Sequence, residues 1–149
     1  MYKRILIATD GSELSGKGLE AGLDLAKASG AKVTVLTVSE PFPAYDLGSA
    51  AGLFQDQRAI ESYDDACRKR AQATLSSAEK AAAAVGVACE TLHVENSAPA
   101  RAILDTAKAR SCDLIVVTSH GRHGLERFLL GSQAARVVQN AETSVLVVR

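Results

Sequence analysis

Five short apolar runs, separated by stretches of helical periodicity, constrain this chain more than any other feature. The runs are "RILIAT" (residues 4–9), "KVTVLTV" (32–38), "VACETLHV" (87–94), "DLIVVT" (113–118) and "SVLVV" (144–148). The first, fourth and fifth are almost continuously apolar, as expected of parallel strands covered on both faces. Between the first two, "SELSGKGLEAGLDLAKASG" places Leu14, Leu19, Leu23 and Ala26 on one helical face, and Gly30 punctuates its end. A longer segment, 56–85, carries Ile60, Tyr63, Cys67, Ala71, Thr74, Ala78, Ala81 and Val85 at three- and four-residue steps. That spacing marks a core-facing stripe. Ser97 is expected to cap a third helix, with Pro99 in its first turn and Ile103 and Ala107 facing inward. Ser132 is expected to cap a fourth, with Ala134, Val137 and Val138 inward. The reading is β-α-β-α-β-α-β-α-β over residues 1–149. It describes a single α/β domain whose open five-stranded parallel sheet has right-handed crossovers and helices on both faces.

Charge narrows the partners. Lys plus Arg and Asp plus Glu number 17 each, so the formal net charge is zero. A general nucleic-acid binder needs a basic face to displace counterions, and the longest basic run here is "RKR" at 68–70. Nucleic acid is therefore not expected as a partner. Cys67, Cys89 and Cys112 are far apart and form no C-x-x-C, which suits reduced thiols better than a disulfide or metal site. The apolar run near the start is too short for a signal peptide or a membrane span, so a cytoplasmic protein without membrane contact is expected. The segment "SEPFPAYDLGSAAGLF" (39–54), with two prolines and two glycines, reads as a long functional or mobile loop.

Two glycine turns follow strands. The first, "GSELSGKG" (11–18), nearly matches the phosphate loop G-x-x-x-x-G-K-[ST], but Gly18 stands where a magnesium-holding hydroxyl belongs. No apolar run ends in the Asp that would hold the ion from the other side. The competing reading makes "DGSE" a turn, Ser12 a helix cap, and Gly16, Lys17 and Gly18 helical. Each helix glycine then costs roughly 1 kcal/mol relative to Ala, which a close helix–sheet contact would explain.

The second, "TSHGRHGLERFLLGSQAARVV", joins the fourth strand to the last helix. Gly121, Gly124 and Gly131 permit close backbone approach. Gly131-Ser132 opens a helix whose free N–H groups suit a phosphate, with Gly131 leaving room for the oxygen and Ser132 donating. Arginines and histidines make the loop locally cationic. A glycine-tolerant loop with an ordinary serine cap explains the same residues without a ligand.

"RILIATDGS", "DLIVVTSHGRHGLERFLLGS" and "SVLVV" together resemble the universal stress protein family across essentially the whole chain. Nucleotide-binding members of that family carry G-x-x-G-x9-G-[ST]. Here Gly121 matches the second glycine and Gly131-Ser132 the end, while Thr118 stands at the first glycine. If that position needs positive φ, a β-branched residue costs at least about 1–2 kcal/mol; if it merely ends the strand, Thr costs nothing. A second departure, "AETSV", replaces the proline that often precedes the family's last strand.

The resemblance implies a Rossmann-like sheet of order 3-2-1-4-5, with the ligand at the carboxyl ends of strands one and four, where the order reverses. It implies ATP or another adenine nucleotide as ligand, with or without Mg²⁺. Asp10 would bond adenosine, and Ala8 and Val38 would line the adenine slot, beside Thr9. Thr118, His120, Gly121, Arg122, Gly131, Ser132 and Gln133 would complete the phosphate and ribose side. It also implies a homodimer through Ser144–Val148, an apolar edge strand that proteins rarely leave unpaired.

Catalytic equipment is thin. His120 and His123 lack further metal ligands at suitable spacing, so no protein metal site is expected. No G-x-S-x-G occurs, and no Ser–His pair is identifiable as nucleophile and base. Asp10 is the one carboxylate expected in the crevice, so no catalytic residue is assigned. The reading is an ATP-binding stress-response regulator with slow or no hydrolysis, whose long loops at 39–54 and 119–131 report nucleotide status to a protein partner. Its rivals are a dimeric interaction protein that binds no nucleotide and a dedicated ATPase or phosphotransferase.

Overall fold

The structure is a computed structural model that describes residues 1–43, 57–120 and 130–149. Its elements run β1 (Arg4–Ala8), α1 (Glu13–Ser29), β2 (Lys32–Val38), α2 (Gln57–Val85), β3 (Cys89–Val94), α3 (Pro99–Ala109), β4 (Leu114–Thr118), α4 (Ser132–Asn140) and β5 (Ser144–Val148). All strand pairs are parallel, in the order β3-β2-β1-β4-β5. The alternation read from the chain is therefore present, and so is the sheet order implied by the resemblance. No helix among the described residues is long and apolar enough to cross a membrane.

Strand alternation splits the core in two, because successive side chains leave a strand on opposite faces. Ile5 and Ile7 of β1 pack with Val33, Val35, Leu114 and Val116 beneath α1 and α2. Leu6 packs with Leu36, Ile115 and Val117 beneath α3 and α4, against Ile103, Ala107 and Val137. The three β1 residues Ile5, Leu6 and Ile7 have no exposed surface. Full burial of an aliphatic side chain stabilises by about 1.5–3 kcal/mol, so β1 anchors both layers.

Helix starts refine the expectations. Ser12 caps α1, its side chain accepting from the Ser15 amide at 3.2 Å, and Gly30 ends the helix in the left-handed region at φ 69°. Gly16, Lys17 and Gly18 are consequently helical, and the phosphate-loop reading of residues 11–18 is set aside. Ser97 does not cap α3. Ala98 occupies the cap position without a side-chain bond, and Pro99 takes the first helical position. The missing acceptor comes from α4 instead: Gln133 Oε1 accepts from the Ala100 amide at 3.0 Å. Ser132 does not cap α4 either, because Gly131 holds that position and Ser132 is already helical. Val138, expected inward, is 45% exposed.

Two glycines of α1 have opposite surroundings. A methyl group on Gly22 would lie 2.8 Å from Ile7 Cγ1, whereas one on Gly16 would meet nothing within 4 Å. Overpacking costs about 1–3 kcal/mol, against a gain of about 1 kcal/mol for replacing a helical Gly with Ala. Thermal unfolding should therefore show Gly16→Ala raising Tm and Gly22→Ala lowering it.

Candidate functional site

A cavity of about 480 Å³ opens where β1 and β4 diverge at their carboxyl ends. That size is ordinary for a small-molecule site, and open α/β sheets bind ligands at this place. Its floor is a set of internal hydrogen bonds beneath the β1–α1 turn. Thr37 Oγ1 donates to the Thr9 carbonyl at 2.9 Å, Thr9 Oγ1 donates to Ser15 Oγ at 3.0 Å, and Ser15 Oγ donates to the Ser12 carbonyl at 2.9 Å. Thr9, Ser15 and Thr37 are all buried, so each hydroxyl needs its protein partner. Gly11 turns the chain at φ 78°, a left-handed conformation that favours glycine. Asp10 Oδ1 then accepts from the Ser12 amide at 2.9 Å, which orients the carboxylate at the rim.

The opposite wall is the start of α4. The Gly131 amide donates to the Ser119 carbonyl at 2.6 Å, and a Cβ at Gly131 would sit 2.8 Å from that oxygen. The glycine is thus required by an approach of the chain to itself. The first intrahelical bond runs from the Ala135 amide to the Gly131 carbonyl. The amides of Ser132, Gln133 and Ala134 precede it, and among the described residues no side-chain bond caps the helix. These three residues, at the positive end of the helix dipole, line the cavity.

Sequence and structure can now be compared with known proteins. A family model described as the Universal stress protein family matches residues 1–149. This chain belongs to the universal stress protein family. It is 34% identical over 149 residues to universal stress protein YxiE of Bacillus subtilis, covering 100% of both chains. Among solved structures it is similar to a universal stress protein in complex with cAMP, at 29% identity and TM-score 0.71, covering 99% of this chain and 97% of that one. It also shares its fold with the universal stress protein UspA of Lactobacillus plantarum, at TM-score 0.83 and 23% identity, covering 99% and 98% of the two chains.

In this universal stress protein Ala8, Thr9, Asp10, Val38, Thr118, His120, Gly131, Ser132 and Gln133 all line the one cavity. Gly121 and Arg122, with His123 and Gly124, lie outside the described residues. Five of the nominated side chains are already engaged: Thr9 Oγ1 in the floor, Asp10 Oδ1 with the Ser12 amide, Thr118 Oγ1 with the His120 carbonyl, His120 Nδ1 with Ser119 Oγ, and Gln133 Oε1 on α3. Among the described residues no group of three His, Cys, Asp or Glu side chains gathers to hold a metal.

The cavity also has an α2 wall, where the sequence reading had assigned Tyr63 and Cys67 to the core. Tyr63, Cys67 and Arg70 of α2 line it, as do Ser39 and Glu40 beyond β2, so Asp10 is not the only carboxylate there. The reason is length. At about 1.5 Å per residue the 29 residues of α2 span roughly 43 Å, while the seven of β2 span roughly 23 Å. The amino-terminal part of the stripe therefore overshoots the sheet and roofs the cavity. Element lengths in the sequence carried that signal. Tyr63 donates to the Glu40 carbonyl at 3.1 Å. Burial, with a hydrogen bond to Cys67, raises its pKa above the ordinary phenol value.

Thr118, the departure from the family motif, ends β4 opposite Val148 and is not among the described residues with positive φ. Its hydroxyl donates to the His120 carbonyl at 3.0 Å. Its methyl Cγ2 fills the space over α1, 2.7 Å from where a Cβ on Gly18 would sit. Gly18 is thus the close helix–sheet contact, and Gly18 and Thr118 are complementary in size. Rotating the β-branched side chain to clear a larger residue 18 would break the His120 bond. Gly18→Ala alone should therefore lower Tm, at an overpacking cost of about 1–3 kcal/mol. In a Thr118→Ser background, which keeps the hydroxyl and removes the methyl, the same change should raise Tm, by up to about 1 kcal/mol of helix propensity. A double-mutant cycle of thermal unfolding reads this change of sign.

Proposed function

We propose that this universal stress protein is a cytoplasmic regulatory module that binds an adenine nucleotide, ATP foremost, with slow or no hydrolysis. The observation that carries the reading is a single cavity lined both by Ala8 and Val38 and by the first turn of α4, which no side chain among the described residues caps. Ala8 and Val38 supply the slot for the base, and Asp10 accepts from the adenosine. The Ser132, Gln133 and Ala134 amides, with the Ser132 hydroxyl, receive phosphate oxygens. Thr9, Thr118, His120, Gly121, Arg122 and Gly131 frame the sugar–phosphate side, Gly131 by setting where the helix begins. Mg²⁺, when present, is held by the phosphates, since no protein cluster is built for it among the described residues. The relative solved in complex with cAMP supports the adenine-nucleotide class.

The test removes the Ser132 amide and hydroxyl without disturbing the helix. Gly131 has φ −57° and ψ 151°, which suits the residue before a proline. Ser132 is the first helical residue, where proline is favoured. Ser132→Pro should therefore keep Tm. By calorimetry it should weaken ATP at least about tenfold, because a hydrogen bond to a charged group contributes about 1.5–3 kcal/mol. Adenosine should bind both proteins equally. If the denatured wild-type protein releases no adenine nucleotide on anion exchange, and ATP titration gives no heat, the chain is instead an interaction protein without nucleotide.

We further propose a homodimer through β5. The strand has a neighbour only on the β4 side, and Val145 to Val148 are half-buried rather than exposed. Pairing with a two-fold mate satisfies its free backbone groups. Deleting residues 145–149 should give monomers or insoluble protein in light scattering, whereas a soluble dimer would place the interface elsewhere.

A further inference from the structure

A cluster of polar side chains lies on the α2 face at the end of β2 and β3, outside the proposed phosphate end of the cavity. In the β2–β3 register Thr37 stands opposite His93 and Val38 opposite Val94. Leu92 and Val94 pack on the α3 and α4 side, so strand alternation turns His93 toward α2. The ladder continues one step further. The Ser39 amide donates to the Val94 carbonyl at 2.9 Å, and the Ser97 amide donates to the Ser39 carbonyl at 3.2 Å. Ser39 is thereby held at both its backbone groups.

Its hydroxyl meets an imidazole. Ser39 Oγ lies 2.7 Å from His93 Nε2, although 54 residues separate them. The other ring nitrogen, Nδ1, faces Glu95 Oε1 at 3.9 Å. That carboxylate accepts from Arg68 Nε at 2.7 Å, and Arg68 also pairs with Asp65 at 3.0 Å. The His93 side chain is 17% exposed, so its ring is largely confined between these partners. Ser39 itself lines the cavity, beside Val38, Tyr63 and Ala71.

We propose that Ser39 is a nucleophile, with His93 as its general base and Glu95 as the carboxylate charge beside the imidazole, acting on small apolar carboxylic esters. The Ser39–His93 hydrogen bond is the nucleophile–base relation recognised by geometry rather than by chain order, while Glu95, at 3.9 Å, acts through its charge and not through a hydrogen bond. The Ser39 oxygen bonds to the acyl carbon while its proton passes to His93 Nε2. The ester C–O bond breaks, and the alcohol leaves with that proton. Water then attacks the acyl-serine, its proton again taken by His93, and the carboxylic acid departs as Ser39 regains its hydrogen. Glu95 stabilises the imidazolium formed in each half. An ester fits better than a phosphoryl group carried by the nucleotide. β2 is separated from β4 by β1. At about 4.8 Å per strand spacing, a phosphate on α4 sits roughly 10 Å from the Ser39 end.

The experiment uses the whole protein and needs no nucleotide, so its failure leaves the proposed nucleotide site untouched. A fluorophosphonate probe should label the wild-type protein once, with peptide mapping placing the adduct on Ser39. Hydrolysis of 4-nitrophenyl acetate should fall at least about a hundredfold in Ser39→Ala and in His93→Gln, the lower reach of general-base catalysis. Glutamine keeps a hydrogen bond to Ser39 but takes no proton, so His93→Gln should keep Tm while losing labelling. Labelling at another residue, no labelling, or wild-type hydrolysis in Ser39→Ala overturns the proposal. So does His93→Gln that labels as fast as wild type, since the histidine would then only tie β3 to β2.

Discussion

Two-sided burial of β1 is the constraint on which everything else in this molecule rests. β1 lies between β2 and β4, hydrogen-bonded to both, and its side chains alternate into two separate cores. Water reaches neither face, so the strand must be apolar at every step, and "ILI" is. Because β2 and β4 flank the same strand, the crossovers after β1 and after β4 depart to opposite sides. Their divergence leaves the crevice at the carboxyl ends. A polar residue at Ile5, Leu6 or Ile7 would remove the reference from which both walls are positioned.

The walls are then set by short contacts of the chain with itself. On one side the buried hydroxyls of Thr9, Ser15 and Thr37 satisfy one another and hold the turn that carries Asp10. On the other, the Ser119 carbonyl draws in the Gly131 amide and determines which amides of α4 remain for a ligand. Gln133 ties that helix to the first turn of α3. In the proposed anion site the donors are prepared in advance, placed by protein bonds and not by the ligand. The cavity's α2 roof adds Tyr63, Cys67 and Arg70 to its lining.

Much of the fold was legible because side-chain direction follows backbone dihedrals. "SVLVV" and "KVTVLTV" match β5 and β2 at both ends, and the 56–85 stripe matches α2 within one residue. The caps were less legible. Ser97 and Ser132 carry the favoured side chain, yet Ala98 and Gly131 hold the cap positions. Capping is decided by which acceptor reaches the free amides, and here a glutamine 33 residues away does so for α3. Val138 fell on the wrong side because α4 has only nine residues, and a stripe so short leaves its rotation to the neighbours.

What the chain determined by itself is local: where strands and helices run, that both faces of β1 are covered, and that a glycine turn follows β1. Tertiary structure alone decided the pairings. Thr118 fits over Gly18, Ser39 meets His93, and the amino-terminal half of α2 passes above the sheet to become a wall. Periodicity reports only the direction of a side chain relative to its own backbone. The distance between two side chains far apart in sequence depends on strand register and on how crossovers stack, and both are set by the packing of the whole domain.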